Sequence, residues 1–261
     1  MDDIRSYKFT SFDGAQIAVH ETTAARGNAR PLLLLHGLFS HAHMNWIKFG
    51  HAAKLANAGY RVIMPDFRAH GQSDAPHDVA AYPTDILLTD TLALLDHLGL
   101  DDFDLGGFSL GARTTAKLLC NGAKPARAIL AGMGWEGLQN WDNRRQFFVD
   151  AIQMRDTVTR SDPHFMAVQF FKSQKIDPVS ALLMLNSFGP MATEMLPKLD
   201  LPVAVICGAD DADNGSAPML AEQLANARYM EIPGTHMSSV TEAALGDAMV
   251  QFLGIANDYG T

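Results

Sequence analysis

The sequence predicts an α/β protein built on a mostly parallel, doubly wound sheet, with one helical insertion. Three observations carry this. Short continuous apolar runs, such as residues 31–35, have the character of strands covered on both faces. These runs alternate with stretches of helical spacing, which is the rhythm of repeated strand–helix units. The rhythm pauses over residues 135–195, where helical stretches follow one another without a convincing strand.

The elements follow in order. Residues 7–11 and 16–21 alternate loosely around Asp13-Gly14 and predict an antiparallel hairpin. After the 31–35 strand, residues 45–58 have helical spacing and stop at Gly59. Residues 61–64 form the next strand, ended by Pro65-Asp66. Pro83 suits the first turn of a helix running to about residue 98, with Gly99 as its stop. Residues 103–106 predict a strand, 110–121 a helix closed by Gly122, and 126–131 a strand. The alternation returns with 203–207, 218–225, 228–232 and 241–253. This divides the chain into a core, 1–134 with 196–261, and an insertion, 135–195. No internal repeat or linker is visible.

The 261 residues suit one large α/β domain. Twenty Lys and Arg against 29 Asp and Glu give a formal charge of −9, with no basic cluster of the kind a nucleic-acid surface needs. Cys120 and Cys207 sit in apolar or small-residue runs and read as structural thiols, without zinc-site spacing. Met1-Asp2-Asp3-Ile4-Arg5 has acids where a leader would have bases, and no apolar run is long enough to cross a membrane. The expectation is a cytoplasmic protein.

Gly107-Phe108-Ser109-Leu110-Gly111 matches G-x-S-x-G between a predicted strand and a predicted helix. A sharp turn there holds its central residue in a strained conformation, and flanking glycines avoid collisions. Ser109 then projects at the carboxyl edge of the sheet, where open α/β folds place ligands. The plain alternative is a serine N-cap.

His36-Gly37 follows the first buried strand, and Asp66-Phe67-Arg68-Ala69-His70-Gly71-Gln72-Ser73 follows the next. With the turn around Ser109, these segments resemble the α/β-hydrolase family, whose corresponding segment reads D-x-R-G-H-G-x-S. The resemblance covers nearly the whole chain except the insertion. It implies the α/β-hydrolase fold and a triad in the order Ser, acid, His. Three positions depart from the pattern: Ala69 stands where glycine is usual, Phe108 precedes the serine where histidine is frequent, and Ala112 replaces a common second glycine.

On that resemblance, His236 is the base. It follows the last strand in Pro233-Gly234-Thr235-His236, whereas His164, the other histidine downstream of Ser109, lies in the insertion. The acid is placed three residues after the glycine ending the preceding strand. Gly208 therefore points to Asp211, with Asp213 next and Asp210 also in the loop. An imidazole needs such a partner to fix its tautomer and stabilise its cation. Acyl transfer also needs donors for an oxyanion. The backbone N–H of Leu110 is one candidate, and Leu38 supplies the second, with Phe39 as alternative. His36 is expected to brace that loop.

Other features carry less. His41-Ala42-His43 lacks the aspartate of a zinc H-x-H-x-D pattern, because Asn45 stands there, so no metal is expected. No G-x-G-x-x-G opens the fold, and no cofactor is expected. Asp90 and Asp96 read as a solvated helix face. The insertion is rich in aromatics and methionine. If it caps Ser109, Trp135, Trp141, Phe165 and Phe188 are candidates to line a substrate pocket.

The expected activity is hydrolysis of carboxylic esters of apolar or aromatic acyl groups, a small-molecule reaction. Members of the family that open epoxides or remove halogen resemble this fold but carry aspartate at the elbow. Lactone, thioester, carbon–carbon and perhydrolytic chemistries share the serine triad. A slow-turnover ligand sensor is the reading from another class.

Overall fold

The computed structural model describes residues 4–22 and 29–255; residues 1–3, part of the segment read for a leader, lie outside them. The chain opens with β1 (Ile4–Thr10) and β2 (Gln16–Thr22), the antiparallel hairpin, then β3 (Arg30–Leu35). A π turn at His43–Ile47, α1 (His51–Asn57), β4 (Tyr60–Pro65) and α2 (Ile86–Leu98) follow. Next come β5 (Asp104–Phe108), α3 (Leu110–Cys120) and β6 (Arg127–Ala131). Between β6 and β7 lie α4 (Trp135–Gln139), α5 (Trp141–Gln153), α6 (Phe165–Ser173), α7 (Pro178–Asn186) and a 3-10 turn at Thr193–Lys198. The chain closes with β7 (Val203–Gly208), α8 (Ala217–Glu222), β8 (Ala227–Ile232), α9 (His236–Ser239) and α10 (Ala243–Ile255).

The described strands form one sheet of eight in the order β1-β2-β4-β3-β5-β6-β7-β8. Only the β1–β2 and β2–β4 pairings are antiparallel. Residues 32–35 of β3 are all buried because alternate side chains meet different layers. Leu33 and Leu35 pack with Leu94 of α2, Leu118 of α3 and Ile152 of α5. Leu32 and Leu34 pack with Leu55 of α1 and Met249 and Phe252 of α10. The order reverses between β3 and β5, which opens a crevice at their carboxyl ends. No described helix is long and apolar enough to cross a membrane.

Three local expectations are corrected. The helix expected over 45–58 is two pieces, the π turn and α1, because Gly50 caps α1 in a left-handed conformation, φ 80°. Pro83 lies outside its helix: α2 begins at Ile86 after Asp85, whose φ is 61°. Asp85 is held there from outside α2, accepting from Lys117 and from the Gly189 N–H. Asp90 is not solvated. It is buried and accepts from Arg68 and Ser11, while Asp96 is exposed.

Candidate active site

Ser109 sits between β5 and α3 with φ 55° and ψ −111°, the strained turn expected for it. The glycines on either side are there for close approach. A Cβ at Gly107 would lie 2.2 Å from the Gly111 backbone carbon, and one at Gly111 would lie 2.0 Å from the Leu35 carbonyl oxygen. Two neighbouring strand ends and the helix start thus press directly on one another. The Ser109 N–H donates to the Ala131 carbonyl at 2.8 Å, which ties the turn to β6.

The structure brings Ser109, His236 and Asp211 into one hydrogen-bonded chain. His236 Nε2 lies 3.0 Å from Ser109 Oγ, and its Nδ1 lies 2.9 Å from Asp211 Oδ2. With the carboxylate accepting, Nδ1 carries the proton and Nε2 faces the hydroxyl. His236 opens α9 rather than standing in an open loop. Thr235 and Ser238 close a capping box that fixes this helix start. The Phe108 ring lies 5.1 Å from the imidazole, so the residue that departs from the family pattern packs against His236.

Asp211 gathers three donors. Besides His236, it accepts from the Asp213 N–H at 3.1 Å and the Cys207 thiol at 3.5 Å. Burial pushes its carboxyl up, but these donors and the His236 charge outweigh burial and hold it below its ordinary value. Burial and the Asp211 charge push the Cys207 thiol up to about 12, so it remains a donor. Cys207, expected as a structural thiol, lies near the end of β7 four residues before Asp211, and that spacing is the signal the sequence offers. Asp213 offers its backbone N–H to Asp211, and its carbonyl accepts from Arg144 of α5.

The loop after β3 meets Ser109 directly: a Cβ at Gly37 would lie 3.6 Å from Ser109 Cβ. Three of the four amides of residues 37–40 are committed. Gly37 donates to Asn45 Oδ1, Phe39 to His70 Nε2 and Ser40 to the Gly37 carbonyl. Of these four, the Leu38 N–H has no acceptor among the described residues, and neither has the Leu110 N–H at the start of α3. The Phe39 N–H, the alternative donor, is committed to His70.

The Asp66–Ser73 segment braces this loop from below. Asp66 accepts from the Ala42 and Gln72 amides and from His20. Burial raises its carboxyl, yet the His20 bond, the His36 charge and the two amides bring it down to about 2. His36 is fully buried, accepts the Phe67 N–H and donates to the Gly37 carbonyl. Ala69, which stands where the family favours glycine, has φ 67°. A glycine preference at that position thus has a backbone cause.

The four aromatic candidates of the insertion occupy different surroundings, and Phe188 lines a small cavity together with Leu110. Trp141 is buried beside Phe188, with ring centroids 5.3 Å apart, and Trp135 packs with the β6–β7 layer. Phe165 opens α6 and is half-buried. The rings that meet the loop beside Leu38 are Phe148 of α5 and Phe171 of α6, edge-on to Phe39 at 5.6 and 5.0 Å. His41 Nε2 meets Gln174 Oε1, a further tie from this loop to the insertion. No group of three His, Cys, Asp or Glu side chains that could hold a metal occurs among the described residues.

Residues 30–132 match the family model described as alpha/beta hydrolase fold. Epoxide hydrolase 2 of Siraitia grosvenorii is 37% identical over 90 residues, 34% of this chain and 27% of that protein. The match thus spans about a quarter of that relative's length. Among solved structures, the esterase EaEST from Exiguobacterium antarcticum superposes with a TM-score of 0.76 at 19% identity, covering 96% of this chain and 100% of that one. The enol-lactonase from Burkholderia xenovorans LB400 gives 0.74 at 23% identity, covering 95% and 100%. The family model matches residues 30–132, and over nearly its whole length the chain has the alpha/beta hydrolase fold.

Proposed function

We propose that this protein is a serine hydrolase that cleaves carboxylic esters of apolar or aromatic acyl groups through an acyl-enzyme. The observation that carries this is the Asp211–His236–Ser109 chain of hydrogen bonds beside two amides, Leu38 and Leu110, that lack acceptors. His236 Nε2 takes the Ser109 proton as Oγ attacks the ester carbonyl. The oxyanion receives the Leu38 and Leu110 N–H groups. His236 returns the proton to the departing alcohol, then takes one from the water that cleaves the acyl-enzyme. Asp211 holds the imidazole in place throughout. The helices over residues 135–195 act as a cap, with Phe148 and Phe171 bringing apolar surface to the oxyanion loop.

The nucleophile chooses the ester over the epoxide. A serine oxygen that opened an epoxide would leave an alkyl ether, which the returning water could not cleave. An acyl-serine ester is cleaved by the same triad that formed it. A lactone is the cyclic form of the same bond and belongs to the same test.

The test is hydrolysis of p-nitrophenyl esters of increasing acyl length, and of a simple lactone, by the wild type and Ser109→Ala. Turnover by the wild type that disappears in the variant is the expected result. A folded wild type inactive on every member would overturn the proposal.

A further inference from the structure

Asp211 lies in the loop between β7 and α8, and the two residues after it, Ala212 and Asp213, are exposed. The later part of that loop is tied to the end of β6 and to α4. Asn214 is buried; its side chain donates to the Gly132 carbonyl at 2.8 Å, and its own carbonyl accepts the Gly137 N–H at 2.8 Å. The Ser216 N–H donates to the Glu136 carboxylate at 2.7 Å, and its carbonyl accepts the Trp135 N–H at 3.0 Å. Ala212 and Asp213 have a different anchor. Among the described residues, Arg144 of α5 is the only group outside the loop that hydrogen-bonds either of them: its Nη1 donates to the Asp213 carbonyl.

The same Asp213 grips the acid. Its N–H donates to Asp211 Oδ1 at 3.1 Å, while Asp211 Oδ2 accepts from His236 at 2.9 Å. Arg144 is therefore linked to the serine in series, through Asp213, Asp211 and His236. The last torsion of an aspartate is soft, so the donor on one carboxylate oxygen sets where the other oxygen points. Holding Asp213 in place thus orients the oxygen that faces the imidazole.

Arg144 is placed by packing on its own helix. It is half-buried, and its guanidinium carbon lies 5.5 Å from the centre of the Phe148 ring, one turn along α5. Burial pulls its guanidinium down, against the Asp213 and Asp211 charges, so both acids are within electrostatic reach. Phe148 in turn meets Phe39, the neighbour of Leu38, edge-on at 5.6 Å. One face of α5 therefore touches the acid loop through Arg144 and the oxyanion loop through Phe148. The next residue, Arg145, turns elsewhere, to Asp142 and Asn186. Resting on the esterase reading above, we infer that Arg144 is a positioning residue for the acid: it fixes Asp213, whose N–H aims the Asp211 carboxylate at His236.

The test measures kcat and KM on p-nitrophenyl butyrate, with Tm alongside. Arg144→Met is expected to lower kcat by roughly tenfold to hundredfold and to move KM by less than about twofold, the pattern of misplaced machinery with an intact binding site. Arg144→Lys should recover most of the loss, because an ammonium can still donate to the Asp213 carbonyl. Arg145→Met should match the wild type. In an Asp211→Asn background, Arg144→Met should cost less than about twofold, because the carboxylate it positions is gone. A merely structural role would lower both backgrounds alike. Unchanged kcat in Arg144→Met, or equal losses in the two backgrounds, overturns the inference. A second arm needs no ester turnover. Diethyl p-nitrophenyl phosphate transfers its diethylphosphoryl group to Ser109 Oγ, and p-nitrophenol leaves with the serine proton. The rate of that single release should fall in Arg144→Met and recover in Arg144→Lys. If butyrate were not cleaved, the esterase reading would fail alone, and this rate would still decide the role of Arg144. Equal rates in the wild type and Arg144→Met, or no release from the wild type, would overturn the inference.

Discussion

The amide of Phe39 donates to Nε2 of His70 at 3.1 Å, so the loop that carries Leu38 hangs on a histidine that must stay unprotonated. His70 Nδ1 meets the Arg68 carbonyl at 3.1 Å, which assigns the proton to Nδ1. Burial holds His70 down to about 4, against the pull of Asp66. Burial and the His70 charge hold His36 down to about 3.

Both histidines are depressed in the folded state, so each contributes stability that is present above about pH 6.5 and lost as pH falls towards 4 and 3. Each adds a slope of at most about 1.4 kcal/mol per pH unit in that window. Urea unfolding at pH 7, 6, 5 and 4.5 should show stability falling throughout, and His70→Gln should fall less steeply. Equal slopes in the two proteins would count against the assignment.

Asp211→Asn keeps the shape of the side chain but offers Nδ1 of His236 a poorer partner and the wrong tautomer. A loss of about 10⁴ in kcat is expected with little change in Tm. Adding Ser109→Ala should cost far less than the product of the single losses, because the three groups act as one unit. Multiplicative losses in the double variant would show that they do not.

Gly111→Ala places a Cβ 2.0 Å from the Leu35 carbonyl oxygen, a backbone atom that cannot turn aside. The variant is expected to lose at least about 3 kcal/mol, read as a lower urea midpoint or failure to fold. By contrast Gly122→Ala meets no atom within 4 Å and costs only its left-handed backbone, φ 91°. A Gly111→Ala protein as stable as Gly122→Ala would refute the close approach.

Arg68 is fully buried and bonds Asp90 through Nε at 2.9 Å and Nη2 at 2.8 Å, with Asp13 on its outer side. Burial raises the Asp90 carboxyl, against the bonds from Arg68 and Ser11. Asp90→Ala leaves a buried guanidinium half-compensated, and a cost of about 3–5 kcal/mol is expected by chemical denaturation. A change below about 1 kcal/mol would mean that Asp13 alone suffices.

The sequence by itself determined the strand–helix rhythm, the hairpin, the position of the helical segment and the strand–turn–helix around Ser109. These are legible because they are local: side-chain period, turn glycines and capping patterns act over a few residues. The resemblance also named Asp211 and His236; the fold joins His236 to Asp211 across 25 positions of chain and to Ser109 across 127. Tertiary structure decided the rest. Helix 45–58 broke at Gly50 and the start of α2 moved to Ile86, because Asp85 is held by Lys117 and the Gly189 N–H from elsewhere in the chain. Asp90 reads as a surface acid until Arg68, 22 residues earlier, is folded against it. Only the tertiary structure commits the Phe39 amide to His70, leaves Leu38 open, brings Cys207 to the acid and sets Arg144 on the Asp213 carbonyl. The physical reason is common to all of them: which donor meets which acceptor depends on groups distant in sequence, and burial makes each such pairing, or its absence, count.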